Sequence, residues 1–416
     1  MGKLIAKFVP ARLGSGFRWL LASSWTTNLG DGVAIAAGPL LVASLTDDPF
    51  LVSLATLMRW APPMVFGLYA GVLSDRLDRR RIVIAADGIR VLALAGLVVT
   101  MITGTVSVTG ALVALGVLGA AEVFADNTSA TLAPMLVPRD DLALANSRLQ
   151  TGFITLNQLA GPPIGAALFA AGAALPFVAQ AVVGAAGILL VAQVVLPPHG
   201  REAGEPASSV RRDIVEAFRW TIHHGAVRTL SLTILTFNIT FGAAWSILVL
   251  YVQQRLGLGA VGFGLLSTIS AAGGLLGTAL YGWITNRVSL GNVMRVGLII
   301  ETLTHLGLAV TTSPWVASFI FFVFGAHAFI WGTTSITVRQ RAVPTQLQGR
   351  VNSLNTISVY GGLVLGSAIG GVLATRYGVT APFWFAFAGS AVFVVALWGE
   401  LTRIAHAPEP EPQAAA

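Results

Sequence analysis

The chain alternates long apolar stretches with short polar segments. Cutting at charged residues, prolines and glycine clusters leaves twelve apolar stretches of roughly 20 or more residues, the length that crosses a bilayer as a helix. They lie at 18–45, 50–72, 82–103, 107–134, 148–172, 175–197, 228–252, 261–285, 291–312, 315–338, 353–377 and 380–401. None alternates like a strand of an outer-membrane barrel. Because a bilayer leaves unpaired backbone groups unsatisfied, the pattern predicts twelve membrane-spanning helices.

The composition excludes a soluble domain. Apolar residues make up 55% of the chain and charged residues 10%, and the mean hydropathy is +0.77. An average globular protein is about 25% charged. Cysteine is absent, which excludes disulfide frameworks, thiolate metal sites and cysteine nucleophiles.

Basic residues are distributed unevenly among the loops. Of 25 lysines and arginines, 21 lie on one side of the predicted topology and only Arg255 and Arg376 on the other. Short cytoplasmic loops retain positive charge, so we expect both termini to be cytoplasmic. The net charge of +7 follows from this topology and indicates no nucleic-acid partner, because the basic residues form no single stripe or arm. The basic start lacks a small-residue cleavage site, so no removed signal peptide is expected.

One long polar segment divides the chain into two sets of six spans. This predicts a first bundle at 1–196, a cytoplasmic linker at 197–225, a second bundle at 226–403 and a disordered cytoplasmic tail at 404–416.

The linker has its own pattern. From Val210 to His224 it places apolar side chains among charges, which is typical of an interfacial amphipathic helix. The pair His223 and His224 has no third ligand nearby in the sequence. We therefore expect a solvated or headgroup-level pair and no metal site.

The two halves repeat each other. Three short segments of the first half recur in the second, in the same order and 205 to 211 residues later. The pairs are GVLSDR at 71–76 with GWITNR at 282–287, VPRDDLALANS at 137–147 with VPTQLQGRVNS at 343–353, and GPPIG at 161–165 with GSAIG at 366–370. Such a repeat implies a six-plus-six duplication about an axis along the membrane normal, with a site between the halves.

Two of these segments resemble signatures of the major facilitator superfamily. GVLSDRLDRRR resembles its loop signature G-x-L-x-D-R-x-G-R-[RK], with Asp78 where glycine is usual. LAGPPIGAA in span 5 resembles its antiporter signature G-P-x-x-G-G, with Ala166 in place of the last glycine. The segments 121–150 and 343–355 are most similar to the bacterial branch that includes macrolide efflux proteins and enterobactin exporters.

This resemblance covers the whole chain and implies an all-α integral membrane protein of the bacterial inner membrane. Its twelve helices would form two six-helix bundles related by pseudo-two-fold symmetry. The resemblance also implies an antiporter motif at Gly161, Pro162 and Gly165. It implies a gating loop formed by Gly71, Asp75, Arg76, Arg79, Arg80, Gly282 and Arg287.

The loop signature has two physical interpretations. Gly71 would let the end of span 2 approach a neighbour, and Asp75 with the adjacent arginines would latch the two halves. The alternative is a positive-inside anchor with a tight turn. Asn286 stands where the second copy would have the acid, so a latch would be asymmetric.

Charged residues inside the spans are the most informative, because each costs roughly 2.5–3.5 kcal/mol at mid-helix. Asp31 lies one turn from Asn28 in span 1, and Arg59 lies at similar depth in span 2. They form either a structural ion pair or a coupling and substrate site. Glu122 and Asp126, spaced i, i+4 in span 4, disfavour simultaneous ionisation, as a proton carrier requires. Packing or helix capping is the alternative, above all for Asp126.

Two further pairs of polar residues lie within predicted spans. Asp87 and Arg90 are spaced i, i+3 towards the cytoplasmic end of span 3, which favours an intrahelical pair or a snorkelling arginine. Glu301 and His305 are spaced i, i+4 in span 9, which is peripheral in the fold that the chain resembles. Glu301 therefore remains either a proton-coupling acid or a structural one.

Polar and aromatic residues at mid-depth suggest a substrate cavity, because the first and fourth spans of each half line the cavity in that fold. Asn238, Gly242 and Trp245 share a helix face. Aromatic walls with few polar groups suit a bulky amphipathic or cationic compound, although lipid-facing tryptophans are the alternative. The candidates are Asn28, Arg59, Asn157, Gln158, Asn238, Trp245, His327 and Trp331.

These observations favour one class of function. No P-loop is present and no outer loop can form an extramembrane active site, so an enzyme and a nucleotide-driven pump are both disfavoured. We expect a monomeric, proton-coupled antiporter that exports drugs, macrolides or siderophores without a cofactor. The alternatives are a proton symporter that imports a metabolite, or a channel or receptor.

Overall fold

The computed structural model describes residues 10–196, 218–344 and 347–401, and this part of the chain contains helices and no strand. The first six spans are α1 Gly14–Leu45, α2 Pro49–Arg76, α3 Arg79–Ile102, α4 Val108–Ala130, the three-part α5 (Leu142–Gly152, Phe153–Ala160 and Gly161–Ala171) and α6 Leu175–Val191. The other six are α7 Gly225–Trp245, α8 Ala260–Thr285, α9 Leu290–Val310, α10 Pro314–Ala342, α11 Gln348–Tyr377 and α12 Ala381–Leu397.

The expectation of twelve spans in an all-α membrane fold is confirmed. Within the described residues, nine helices are long and apolar enough to cross a bilayer. Two shorter apolar helices, α6 and α12, and the interrupted α5 occupy the remaining predicted spans.

The chain forms two compact units. The first contains the described residues of Met1–Asp47, Met58–Ala203 and Leu258–Thr268, and the second contains the others. α2 therefore begins in the second unit and continues in the first, whereas α8 begins in the first and continues in the second. Most of the linker at 197–225 and the whole tail at 404–416 lie outside the described residues, so those domain boundaries stay a prediction.

The internal packing of the two units follows one scheme. In the first, α1 packs on α5 and α6, and α3 packs on α4 and α6. In the second, α7 packs on α11 and α12, and α9 packs on α10 and α12. Corresponding helices thus have corresponding neighbours, as expected of a duplicated six-helix unit.

Glycines bring two helix backbones into direct contact in each unit. A Cβ atom on Gly161 of α5 would overlap the backbone of Gly32 in α1. Likewise, a Cβ on Gly366 of α11 would overlap the backbone of α7 beside Gly242. Small residues allow such close crossings, where dispersion forces and not the hydrophobic effect hold helices together in lipid. The antiporter motif therefore has a packing role, with Gly165 seated against Val33.

α5 is interrupted by a π-helical segment, Phe153–Ala160, for which the sequence supplies a cause. Pro163 has no N–H and cannot donate to the carbonyl of Leu159 four residues earlier. Thr268 of α8, in the same compact unit, donates its hydroxyl to that carbonyl at 3.0 Å. Gly161 N–H bonds to the carbonyl of Leu156, five residues back. An exposed carbonyl inside a membrane is thereby satisfied.

Arg255, one of the two basic residues on the predicted outer side, caps a helix. Its guanidinium donates to the carbonyls of Val310 at 2.9 Å and Thr311 at 3.2 Å, at the C-terminus of α9. Tyr251 donates to the carbonyl of Leu308 at 2.7 Å. A cation at a helix C-terminus is favourable for the helix dipole, so Arg255 has a structural reason to depart from the positive-inside pattern.

The two linker histidines, His223 and His224, contact residues close to them in the sequence. The ring of His224 stacks on Trp220 at 4.7 Å and accepts a hydrogen bond from the backbone of Val227 at the start of α7. Burial lowers the pKa of His224, which favours the neutral, accepting ring. A ring nitrogen of His223 lies 2.7 Å from the carbonyl of Arg219. Each histidine thus serves its own helix turn.

We expect Gly366→Ala to destabilise the protein and Gly96→Ala to leave it unchanged or slightly more stable. The first adds a methyl group where α11 meets α7, whereas nothing lies within 4 Å of a Cβ on Gly96. Overpacking costs about 1–3 kcal/mol, while an unhindered helical Gly→Ala gains up to about 1 kcal/mol. Thermal unfolding of the purified variants in detergent tests this. Equal midpoints for the two variants would contradict the close crossing.

Candidate functional site

Arg90 of α3 is the centre of a buried ionic cluster in the first unit. Its guanidinium forms salt bridges with Asp31 of α1 and, at 3.1 Å, with Asp87 of α3. All three residues are buried, with exposed fractions of 7%, 5% and 3% for Arg90, Asp31 and Asp87. Removing one member of a buried ion pair costs about 3–5 kcal/mol, so this cluster ties α1 to α3.

The partner of Asp31 and the depth of Arg90 differ from what the sequence predicts. The partner of Asp31 is Arg90 and not Arg59, whose guanidinium lies over the ring of Trp60, 5.4 Å from its centroid. Asp87 and Arg90 do pair within α3, but Arg90 does not snorkel to the interface. Residue 90 lies about 16 Å along the helix from its start at Arg79, well inside a hydrocarbon core about 30 Å thick.

A small cavity adjoins the cluster. It has a volume of about 10 Å³ and is lined by Asp87, Arg90 and Gln180 among others. Such a volume is close to the minimum that holds one water molecule. Nε of Arg90 is buried without a hydrogen-bond partner among the described residues. The cavity has room for a water molecule that could accept a hydrogen bond from this nitrogen.

Glu122 and Asp126 are the two acidic residues of α4. Within the described residues, neither carboxylate has a salt bridge or hydrogen bond. Glu122 is half-buried and Asp126 is exposed. The charges of Glu122, Arg90 and Arg59 all act on Asp126. The structure thus brings these acids into the electrostatic field of the Arg90 cluster without pairing them.

The polar candidates of the first unit are tied to backbone or to each other. Asn28 donates to the carbonyl of Ser24 at 2.7 Å. Gln158 donates to the side-chain oxygen of Asn157 at 2.8 Å. Asn157 is buried, and its backbone lies against Gly32. Gln158 is half-buried.

The second unit has its own buried acid. Glu301 of α9 lies 3.5 Å from Nε2 of His327 in α10. The expected pair of Glu301 with His305 is wrong, because His305 has no hydrogen-bond partner on either ring nitrogen within the described residues. Glu301, His305 and His327 are all buried. Glu301 is thus coupled to the next helix rather than to its own.

An aromatic cluster surrounds these groups. Trp245 of α7 stacks on Phe241 at 4.4 Å and contacts Phe324 of α10 at 4.7 Å. The ring of His305 meets Trp245 edge-on at 6.0 Å. Nε1 of Trp331 is buried without a hydrogen-bond partner in the described part of the chain. Apolar walls with unsatisfied polar atoms are features of a binding site.

The shared face of α7 is divided in the structure. Asn238 lies at the crossing with α11, beside Gly362, and donates to the carbonyl of Ile234 at 2.7 Å. Gly242 faces Leu363 of α11. Trp245 instead faces α9 and α10 through His305 and Phe324.

The gating loop is only partly described. The side chains of Asp75 and Arg76 lie outside the described residues. Gly71 and Gly282 have nothing within 4 Å of a Cβ, so the expected close approach at Gly71 is wrong. Asp78 accepts from the backbone of Arg81 at 3.1 Å and caps α3. This explains an acid where glycine is usual.

The loop arginines have local contacts. Arg79 donates to the carbonyl of Ser74 at 3.1 Å. Arg80 is half-buried. In the second copy, Arg287 lies over the ring of Trp283 at 4.4 Å and donates to its carbonyl at 3.1 Å. These contacts fit an interfacial anchor.

The sequence does not predict the roles of three residues of these clusters, Arg90, Phe321 and Phe324. The position of Arg90 predicts an intrahelical pair or a snorkelling arginine and gives no link to Asp31, although the run Arg79–Arg81 marks the interface and places Arg90 beyond it by helix geometry. Phe321 and Phe324 gave no separate signal, because phenylalanines are common in any apolar span. In the described residues, no group of three or more His, Asp or Glu side chains is arranged to hold a metal ion.

The chain is similar to bacterial efflux proteins over most of its length. The chain is 27% identical to the multidrug efflux pump Tap of Mycolicibacterium fortuitum, over 88% of this chain and 90% of that protein. It is 24% identical to the enterobactin exporter EntS of Salmonella typhimurium, over 94% of each. It is 23% identical to macrolide efflux protein A of Streptococcus pyogenes, over 85% of this chain and 87% of that protein.

Solved structures with the same fold are also transporters. A bacterial homologue of the iron transporter ferroportin, in an inward-facing state, has a TM-score of 0.73 and 17% identity, covering 94% of this chain and 98% of that one. The nucleoside transporter NupG has a TM-score of 0.73 and 12% identity, covering 94% and 99%. At these identities the likeness shows the major facilitator fold alone.

A family model assigns the chain directly. The model described as "Transmembrane secretion effector" matches residues 5–414. The chain therefore belongs to this family of the major facilitator superfamily and is a membrane transporter, not an enzyme.

Proposed function

We propose that the protein exports bulky amphipathic compounds from a bacterial cell in exchange for protons, as a monomer with both termini in the cytoplasm. The observation that carries the proposal is the pair of unpaired carboxylates, Glu122 and Asp126, beside the ion-paired Arg90. The relatives named for drug, enterobactin and macrolide efflux support export and the class of cargo.

The charged groups around Arg90 do not balance. Asp31, Asp87, Glu122 and Asp126 face two cations, Arg59 and Arg90. With every group ionised, two negative charges are left over. Uncompensated charge is costly inside a membrane, so two bound protons make the cluster neutral. Glu122 and Asp126 are the acids that lack a partner and therefore the ones that gain most from a proton.

Arg90 connects these acids to helix movement. When Glu122 and Asp126 are protonated, Asp31 and Asp87 alone hold Arg90, and α1 stays tied to α3. When they ionise, they compete for the same guanidinium. Proton binding thus favours one arrangement of α1, α3 and α4 over another, which is the thermodynamic requirement for coupling.

The free energy of one proton moving through the membrane potential is sufficient to drive export. One charge moved through 100 mV is worth about 2.3 kcal/mol, which supports a gradient of about fiftyfold for a neutral compound. A cationic compound that binds the same carboxylates displaces their protons, so cargo and proton exclude each other. Mutual exclusion of this kind gives antiport.

The second unit supplies the recognition surface in this proposal. Trp245, Phe241 and Phe324 offer stacked rings, and the unpartnered nitrogens of His305 and Trp331 offer hydrogen bonds. A large aromatic or cationic compound gains from the rings. A sugar needs a denser set of hydrogen-bonding groups.

One experiment distinguishes an antiporter from the two alternatives, a symporter and a channel. Purified protein is reconstituted into liposomes with an imposed pH difference, and tetraphenylphosphonium and a macrolide are supplied. An antiporter accumulates the compound on the side from which protons leave. A symporter moves it in the opposite sense, and a channel only equilibrates it.

We expect Glu122→Gln, and more strongly the double variant with Asp126→Asn, to lose uphill transport driven by pH while keeping downhill exchange. Amides of the same shape preserve packing but cannot release a proton. Transport assays in the same liposomes measure both activities. Asp47→Asn, at an exposed loop position, is the matched control. Uphill transport by the double variant would assign the protons elsewhere, with Glu301 the next acid to test.

Arg90→Gln should destabilise the protein by about 3–5 kcal/mol, because it leaves Asp31 and Asp87 buried without a counter-ion. Adding Asp31→Asn should recover part of this stability, since it removes one of the two uncompensated charges, but should not restore coupling. Thermal unfolding and uphill transport measure the two effects separately. Additive losses of stability in the double variant would show that Arg90 and Asp31 are not energetically paired.

Trp331→Phe should change the rank order of exported compounds rather than abolish transport. It keeps an aromatic ring and removes the unpartnered indole N–H. Minimal inhibitory concentrations of chemically diverse compounds, measured in a sensitive strain that expresses each variant, report the order. Trp315→Phe serves as control, because Trp315 is 85% exposed. An equal loss for every compound would indicate a structural role.

A further inference from the structure

A groove of about 480 Å³ lies between α2, α3 and α4 of the first unit. Its walls are apolar and include Leu73, Leu77, Ile89 and Phe124, and its polar lining is limited to Asp78 and Arg81 at one end. Sites for small molecules have about 300–1,000 Å³. The groove is separate from the Arg90 cluster and from the aromatic residues of the second unit.

The groove is open along its side. Leu77 and Ile89 are 52% and 51% exposed, and Leu73 is 36% exposed. In a membrane-spanning bundle, side chains exposed on such a surface meet hydrocarbon rather than water. The occupant of the groove is therefore drawn from the bilayer.

The length of the groove matches one leaflet. From Arg81 to Ile89 it follows α3 over eight residue steps, which is about 12 Å at the rise of an α-helix. Half of the hydrocarbon core of a bilayer is about 15 Å thick. An acyl chain that begins at the interface therefore fills the groove from its polar end inward.

The polar end is suited to an anion. The side chain of Arg81 is 88% exposed. Its Nε lies 3.9 Å from Oδ2 of Asp78, which is a long distance for an ion pair. The other oxygen of Asp78 is occupied in capping α3. Arg79 and Arg80 precede Arg81 in the same turn, so the potential at this end is positive.

We propose that the groove binds one anionic phospholipid, with an acyl chain along α3 and its phosphate at Arg81. A neutral lipid fills the apolar part equally well but gains nothing from Arg81. The lining residues Ala86 and Ala121 directly precede the acids Asp87 and Glu122 along their helices. Occupancy therefore supports the helices that hold the charge cluster, and transport should depend on anionic lipid.

The test uses full-length protein purified in mild detergent and exposed to mixed micelles of phosphatidylglycerol and phosphatidylcholine. Native mass spectrometry counts the lipids retained by each chain. We expect one phosphatidylglycerol to be retained in preference to phosphatidylcholine. In liposomes, replacing phosphatidylglycerol by phosphatidylcholine should lower the rate of downhill transport.

Two variants separate the acyl groove from the head-group site. Ala85→Trp fills the groove, since Ala85 is an exposed lining residue, and should abolish retention. Arg81→Gln should weaken the preference for phosphatidylglycerol about fivefold, the factor that corresponds to about 1 kcal/mol for one basic residue near an anionic surface. Leu92→Trp, on the same helix and 73% exposed, and Arg18→Gln, also exposed, are the controls and should retain the lipid.

Three results would overturn the proposal. Equal retention of the two lipids would remove the role of Arg81. Loss of lipid in Leu92→Trp as in Ala85→Trp would indicate a general lipid annulus. Displacement of phosphatidylglycerol by an exported compound at a one-to-one ratio would make the groove a cargo site. Because Arg81 is exposed, Arg81→Gln gives a folded protein for the test even if Ala85→Trp does not.

Discussion

Arg90, held between Asp31 and Asp87, is the interaction on which the first unit depends. A guanidinium at this depth is tolerable only with carboxylates around it, and carboxylates are tolerable only with cations or protons. In the proposed function, the same condition that stabilises α1 against α3 makes the two acids of α4, Glu122 and Asp126, responsive to protons. On that proposal, structural stability and coupling have one physical origin.

Glycine and proline residues shape α5, which packs against α1, the helix that carries Asp31. Gly161 lies against Gly32, the residue after Asp31, so the antiporter motif determines how closely α5 approaches the acid-bearing turn of α1. Pro163 removes a donor from α5, and Thr268 satisfies the freed carbonyl of Leu159. The second unit repeats the glycine crossing at Gly242 and Gly366 but has a continuous α11. The motif and the π-helical segment thus distinguish the half that bears the Arg90 cluster from the half that bears the aromatic cluster.

The sequence predicts the fold well because a bilayer allows few solutions. Apolar length gives the twelve spans, and the repeat at GPPIG and GSAIG locates equivalent crossings. Side-chain partners are harder to predict. Depth alone suggested Arg59 for Asp31, whereas α3 and not α2 places a guanidinium beside it. The spacing of Glu301 and His305 suggested an intrahelical pair, but the contact with His327 depends on how α9 packs on α10. Periodicity along one helix carries no information about rotation relative to the next.

In the proposed mechanism, cargo and protons compete for the carboxylates of Glu122 and Asp126. Adding tetraphenylphosphonium to the purified protein in weakly buffered detergent solution, with a pH indicator dye to follow released protons, measures this competition. We expect proton release on binding, up to two per chain, and none from the variant that carries both Glu122→Gln and Asp126→Asn. Binding without proton release by the native protein, or unchanged release by the double variant, would contradict it.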